Sequence, residues 1–61
     1  MTTLEKLTQY KERLQRWQFR TRLKLANNEP AEAEPSAEQF HLTNETERHM
    51  ARQIREEVCG R

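Results

Sequence analysis

The stretch that decides the fold is Thr2–Asn27, TTLEKLTQYKERLQRWQFRTRLKLAN. Thr2 and Glu5, three positions apart, match the capping box, in which two side chains bond the free backbone amides at a helix start. Apolar residues then recur at spacings of three, four and their sums, with no Gly or Pro between them: Leu4, Leu7, Tyr10, Leu14, Trp17 and Leu25. At about 100° per residue they share one side of a helix. The stretch predicts an amphipathic helix over about residues 2–27.

The residues after this helix favour a turn. Asn27-Asn28 can adopt the left-handed conformation that ends helices, and the residue before Pro30 avoids the helical region. Residues 28–35 contain two prolines, three glutamates and no large apolar side chain. This composition predicts an acidic, Pro-containing loop at about residues 28–35.

A second helix is expected at about residues 37–58. Ser36 with Gln39 offers a capping box for it, and Asn44 with Glu47 offers a rival start. Gly60 is a natural terminator. The residues that share one face are Phe40, Thr43, Glu47, Met50, Ala51, Ile54 and Val58.

The predicted fold class is all-α, a two-helix antiparallel hairpin forming a single domain over residues 1–61. A chain of 61 residues buries only about 60% of the surface that its unfolded form exposes. Its single cysteine excludes an internal disulfide, one of the usual supports of so small a core. We therefore expect the hairpin to be completed as a dimeric four-helix bundle or on a partner protein.

Charge is divided sharply along the chain, although the net charge is only +1. Residues 1–26 hold seven basic and two acidic side chains, residues 27–47 hold six glutamates and no Lys or Arg, and residues 48–61 hold four arginines and two glutamates. Such asymmetry suggests either internal pairing or an anionic partner.

A basic ridge follows the first helix over a sector of roughly 80° and a length of about 27 Å. Its residues are Lys6, Arg13, Arg16, Arg20 and Lys24. With Trp17 at its border, the ridge could follow phosphates and stack on a base, so these five residues are the candidate nucleic-acid contacts. The alternative is a solvated face, neutralised by the acidic loop and by a Glu12–Arg16 pair at i, i+4.

Phe19, Leu23 and Ala26 form an apolar patch roughly opposite the main stripe. Contiguous exposed apolar surface usually marks an interface. The alternative is that the loop or Leu42 covers the patch. Aromatic and Arg residues dominate binding hot spots, so the predicted protein-interface residues are Trp17, Phe19, Leu23, Arg16 and Arg20.

Glu47 is the one charged residue within the second apolar stripe. It could bond the backbone near Asn44 as part of a helix cap. The sharper hypothesis is a buried ion pair with Lys11 or Arg22, which lie at the edge of the first stripe.

Chemistry-bearing residues are sparse. His41, His49 and Cys59 are eight and ten residues apart, which does not fit the spacing of zinc ligands, and no metal or cofactor is expected. No phosphate-cradling loop occurs, and two helices rarely enclose a pocket, so we expect neither enzyme activity nor a small-molecule substrate. Without a signal sequence or an apolar run of membrane-spanning length, a cytoplasmic location is expected and no membrane contact.

The leading hypothesis is a small, non-enzymatic regulatory or adaptor protein that self-associates and acts by protein–protein interaction. Such a chain would also suit a phage- or plasmid-type inhibitor of a host protein, a suggestion about origin that no particular residue carries. Two alternatives stay open. One is a nucleic-acid-binding module that uses the basic ridge, and the other is a structural coiled-coil assembly piece.

Overall fold

A computed structural model describes residues 2–60 of the chain. Helix α1 spans Thr3–Ala26, a single 3-10 turn spans Ala37–Phe40, and helix α2 spans Glu45–Cys59. Between Thr2 and Gly60 there is no β-strand. The all-helical architecture with two α-helices is therefore confirmed. The predicted domain, 1–61, also included Met1 and Arg61, which lie outside the described residues.

Local signals account for both ends of α1. The Thr2 hydroxyl accepts a hydrogen bond from the Glu5 amide at 3.2 Å, so Thr2 caps the helix as its pattern predicts. At the other end Asn28 adopts a positive φ of 60°, and the Glu29 amide donates to the Lys24 carbonyl at 2.7 Å. The helix begins and ends within one residue of the predicted bounds.

The prediction of one continuous second helix over 37–58 is wrong. The 3-10 turn ends at His41, which has a φ of 60°, and α2 starts only after Asn44. The Asn44 side chain accepts from the Glu47 amide at 2.8 Å, which makes the rival start the real one. The physical reason is Leu42: the break turns this side chain into the core, where it is fully buried.

The end of α2 matches the expected terminator, Gly60. A Cβ added at this position would collide with the carbonyl oxygen of Glu56. Only glycine therefore fits where the chain leaves the helix.

The predicted antiparallel order of the helices is also wrong. Glu47, in the first turn of α2, accepts a hydrogen bond from Thr3, in the first turn of α1, at 2.9 Å. Both helices therefore begin at the same end of the molecule. Residues 27–44 must therefore run back along α1. The connection is long enough to do so, because at up to about 3.3 Å per residue it can span more than the helix length of about 36 Å.

The core lies where α1, the 3-10 turn and α2 meet. Its buried apolar residues are Leu7, Tyr10, Leu14, Leu42 and Ala51. Phe40 packs edge-on against Tyr10 with ring centroids 5.8 Å apart. The two ends of the first stripe are uncovered, since Leu4 is 74% exposed and Leu25 61% exposed.

Candidate functional site

An exposed apolar cluster, Phe19, Leu23 and Ala26, lies on the side of α1 that faces away from the core. Together with the exposed Arg16 at its border, these residues are called the outer face. Phe19 and Leu23 point about 140–180° around the helix from Leu14, the centre of the core. They are 63% and 49% exposed, respectively. The alternative, that the loop or Leu42 covers this patch, is wrong, because Leu42 fills the core and both Phe19 and Leu23 are exposed.

Two guanidinium groups border the apolar residues of the outer face. Arg16 lies on one side of Phe19 and Arg22 on the other, at about 60° around the helix in each direction. Neither is within 4.0 Å of a carboxylate in the part of the chain that the structure describes. The predicted Glu12–Arg16 ion pair is likewise absent among these residues. Both arginines are therefore available to an external anion.

The basic ridge is neutralised at both ends. Lys6 lies 3.6 Å from the Glu47 carboxylate, and Arg20 and Lys24 lie 3.6 and 3.1 Å from that of Glu32. The hydrogen bond from Lys24, together with its charge, lowers the pKa of the Glu32 carboxyl. Of the five candidate nucleic-acid contacts, these three cations are paired within the chain. The remaining two, Arg13 and Arg16, make no such pair within residues 2–60.

Trp17 belongs to a different surface from Phe19 and Leu23. Its indole N–H donates to the carbonyl oxygen of Glu32 at 2.8 Å, and its ring is half-buried against the core cluster. An open pocket of about 240 Å³ beside it is lined by Arg13 and Arg20 but also by Glu32 and Glu34. Trp17 therefore anchors the connection to α1 and does not extend the outer face.

Glu47 is a capping residue and an ion-pair partner at once. Only 5% exposed, it accepts the Thr43 and Asn44 amides at 3.2 and 3.4 Å, which confirms the capping interpretation. The hydroxyl of Thr3 also donates to it, and these bonds lower the pKa of the carboxyl against the opposing effect of burial.

The predicted ion-pair partners of Glu47, Lys11 and Arg22, are wrong. The pair is made with Lys6, 3.6 Å away. Because both helices begin at the same end, the first turn of α2 reaches the first turns of α1 and never approaches Arg22.

A second polar contact, which sequence reasoning missed, ties the connection to α2. The Arg55 guanidinium donates to both carboxylate oxygens of Glu34, at 2.6 and 3.3 Å. Tyr10 lies near this pair, and its pKa is raised by burial and by the Glu34 charge. The i, i+21 separation has no local signature, so only the doubled-back path of residues 27–44 brings the two side chains together.

The residues considered as metal ligands stay apart. The ring of His49 lies 3.4 Å from the side-chain amide of Gln53 on the same helix, and burial raises the pKa of the Cys59 thiol. From Thr2 to Gly60, no three His, Cys, Asp or Glu side chains cluster as a metal site would require. Over the same residues, neither helix combines the length and the apolar character needed to cross a membrane.

Comparison of the chain with protein-family models, with curated proteins and with solved structures finds no match in any of the three.

Proposed function

We propose that this chain is a small binding protein that docks on another protein through the outer face of α1. The observation that carries the proposal is the exposure of Phe19 and Leu23, 63% and 49%, on the side of the helix that faces away from the core. Two large apolar side chains one helical turn apart form an anchor of the kind that helix-in-groove recognition uses. By occupying part of a partner's surface, a protein with such a face can regulate or inhibit that partner, or link it to another protein.

The energetics favour this face as a hot spot. Fully burying a Leu or Phe side chain is worth roughly 1.5–3 kcal/mol. The helix that presents them is held by the Thr2 cap and by the buried residues Leu7, Tyr10 and Leu14. A preorganised helix loses little conformational entropy on binding, so more of the burial energy appears as affinity.

The nucleic-acid alternative has weaker support. Lys6, Arg20 and Lys24 already pair with carboxylates of the chain, and each phosphate contact would have to replace such a pair. Arg13 and Arg16 alone offer few contacts for a duplex, whose binding depends on many phosphates.

Site-specific photo-crosslinking in the cells that produce the protein tests the proposal. A benzophenone side chain replaces Phe19 in one variant and Arg52, exposed on α2, in the matched control. We expect irradiation to attach one defined protein to the Phe19 variant and not to the control. Circular dichroism of both variants checks that the helices are kept.

The size of the adduct decides between occupants. A larger protein, identified by mass spectrometry and attached only through position 19, supports the proposal. An adduct of twice the chain mass means that the face serves self-association. Equal labelling from both positions, or none from position 19, contradicts the proposal.

A further inference from the structure

The two charged side chains that border Phe19 and Leu23, Arg16 and Arg22, are both positive. Arg20, beside Arg16, is paired with Glu32 at 3.6 Å, and the nearest carboxylate along the same side of α1 is Glu12. Because Arg16 and Arg22 have no carboxylate within 4.0 Å among residues 2–60, their charges are not compensated within that range. The proposed contact surface, called the footprint below, runs from Arg16 to Ala26, about 15 Å along the helix.

A second copy of the chain is a poor occupant of this footprint. In an antiparallel pairing that sets Phe19 against Leu23 of the other copy, the same sides of the two helices meet, so the two Arg22 side chains would lie next to each other. In a parallel pairing, Arg20 of one copy would approach Arg22 of the other. Sliding the antiparallel helices so that Glu12 faces Arg16 places Phe19 opposite Gln9 and separates the apolar residues. Joining the apolar residues therefore brings like charges together, which costs energy at an interface.

Anionic lipid and nucleic acid also fit less well. Interfacial helices bind through a long apolar face, whereas the outer side of α1 before Arg16 carries Glu5, Thr8 and Glu12. A lipid surface or a phosphate backbone that runs along α1 would meet and repel those carboxylates, whereas a partner helix that crosses α1 at Phe19 and Leu23 does not extend over them. The centre of the footprint is apolar, which suits a protein partner better than a phosphate backbone.

We propose that the partner presents an acidic amphipathic helix, whose apolar side chains cover Phe19 and Leu23 while its carboxylates pair with Arg16 and Arg22. This inference rests on the proposed function and adds the chemistry of the partner to it. Guanidinium–carboxylate pairs at the border of an apolar contact set the specificity and the rate of association.

The test uses the full chain and two fluorescent peptides of about 18 residues, long enough to form helix. Both carry Leu at i, i+4, i+7 and i+11. The first has Glu at the flanking positions and the second has Lys there. We expect the acidic peptide to bind at least about tenfold more tightly than the basic one, with affinity that falls as salt is raised from about 50 to 300 mM.

Matched variants locate the binding site. Phe19→Ser/Leu23→Ser should weaken binding of the acidic peptide by about tenfold or more, whereas Leu25→Ser, a comparably exposed residue on another side of α1, should not. Arg16→Glu should weaken binding of the acidic peptide by roughly tenfold. Lys11→Glu, at a residue about 140° around the helix from Arg16, should change the binding much less. Circular dichroism verifies that each variant keeps its helices.

Several results would overturn the inference. These are equal binding of the two peptides, binding of neither peptide, or an equal loss of acidic-peptide binding in Leu25→Ser and in Phe19→Ser/Leu23→Ser. Chain dimers that dissociate in Phe19→Ser/Leu23→Ser, or tighter binding to phosphatidylglycerol vesicles or duplex DNA than to the acidic peptide, would assign the face to another occupant. If crosslinking through position 19 succeeds while the acidic peptide fails, the proposed function stands and only the chemistry of the partner is wrong.

Discussion

Leu14 and Leu42 are the largest fully buried side chains among residues 2–60, and they come from separate parts of the chain. Leu14 sits in the middle of α1, and Leu42 lies in the break before α2. In a chain of this size each such residue holds a large share of the stability, because the core has few other members.

Leu14→Ala should destabilise the fold by about 2–5 kcal/mol, through lost burial and the cavity left behind. Urea titration followed by circular dichroism measures the change. Leu4→Ala, at a residue that is 74% exposed, should change stability by less than about 0.5 kcal/mol. Equal effects of the two substitutions would show that the core lies elsewhere.

Glu47 makes the stability dependent on pH. Its pKa in the folded state is lowered, chiefly by the hydrogen bond from Thr3, below an unfolded value of about 4.3. The stability that the charged carboxylate contributes is therefore fully present above that pH and is lost as the pH falls through the lower folded pKa.

Glu47→Gln should accordingly lower Tm at pH 7 and reduce the loss of Tm between about pH 5 and pH 3. Thermal melts across this range measure both effects. Glu56→Gln, at an exposed residue on the opposite side of α2, serves as the control and should leave the pH profile close to that of the unaltered chain. A Glu47→Gln profile parallel to the original would contradict this account of the carboxylate.

At the scale of elements, the cap at Asn44 decides where α2 begins. Asn44→Ala removes the acceptor for the Glu47 amide and should cost about 1 kcal/mol. Thr46→Ala, in the same first turn, should change stability by a few tenths of a kcal/mol at most. Urea unfolding compares the two, and hydrogen exchange in the first turn of α2 should rise only in Asn44→Ala.

An element can be predicted from the sequence when the residues that define it lie close together along the chain. Thr2, the apolar spacing and Asn28 define α1 within a single segment, so sequence patterns located both of its ends. The second helical region depends on Leu42 entering a core made by α1, and the Ser36–Gln39 pattern gave no sign that a break would follow at His41.

The candidate site was predicted unevenly for the same reason. Phe19 and Leu23 lie opposite the core stripe, so helical periodicity alone indicated their exposure. Trp17, assigned to the same surface, is instead bonded to the Glu32 carbonyl. That contact depends on the path of residues 27–44, of which only about 28–35 were expected to form a loop, a short one between antiparallel helices.

At the scale of the whole molecule, residues 27–44 form an acidic segment that packs along the basic helix α1. Glu32 holds Arg20 and Lys24, and Glu34 holds Arg55, so the internal pairing suggested by the charge division does occur. This acidic segment shields part of the basic ridge of α1 from other anions.

Glu32→Gln should therefore strengthen binding to duplex DNA at low salt, because it frees two cations while the backbone carbonyl can still bond Trp17. The salt dependence, log K against log salt, should steepen by about 0.9 for each added phosphate contact. Glu29→Gln, which removes one negative charge from the same segment, is the matched control. An equal gain in both variants would mean that net charge alone matters, and no gain in either would remove the shielding role.

The common starting end of the two helices also shapes how the protein is made. Thr3 is translated before its partner Glu47 and before the packing residue Val58, which follow only with α2. At about 5–20 residues per second, nascent α1 waits a few seconds with Leu7, Tyr10 and Leu14 uncovered. During that interval the apolar side of α1 has no cover from α2, and slower translation of residues 27–58 would lengthen the delay.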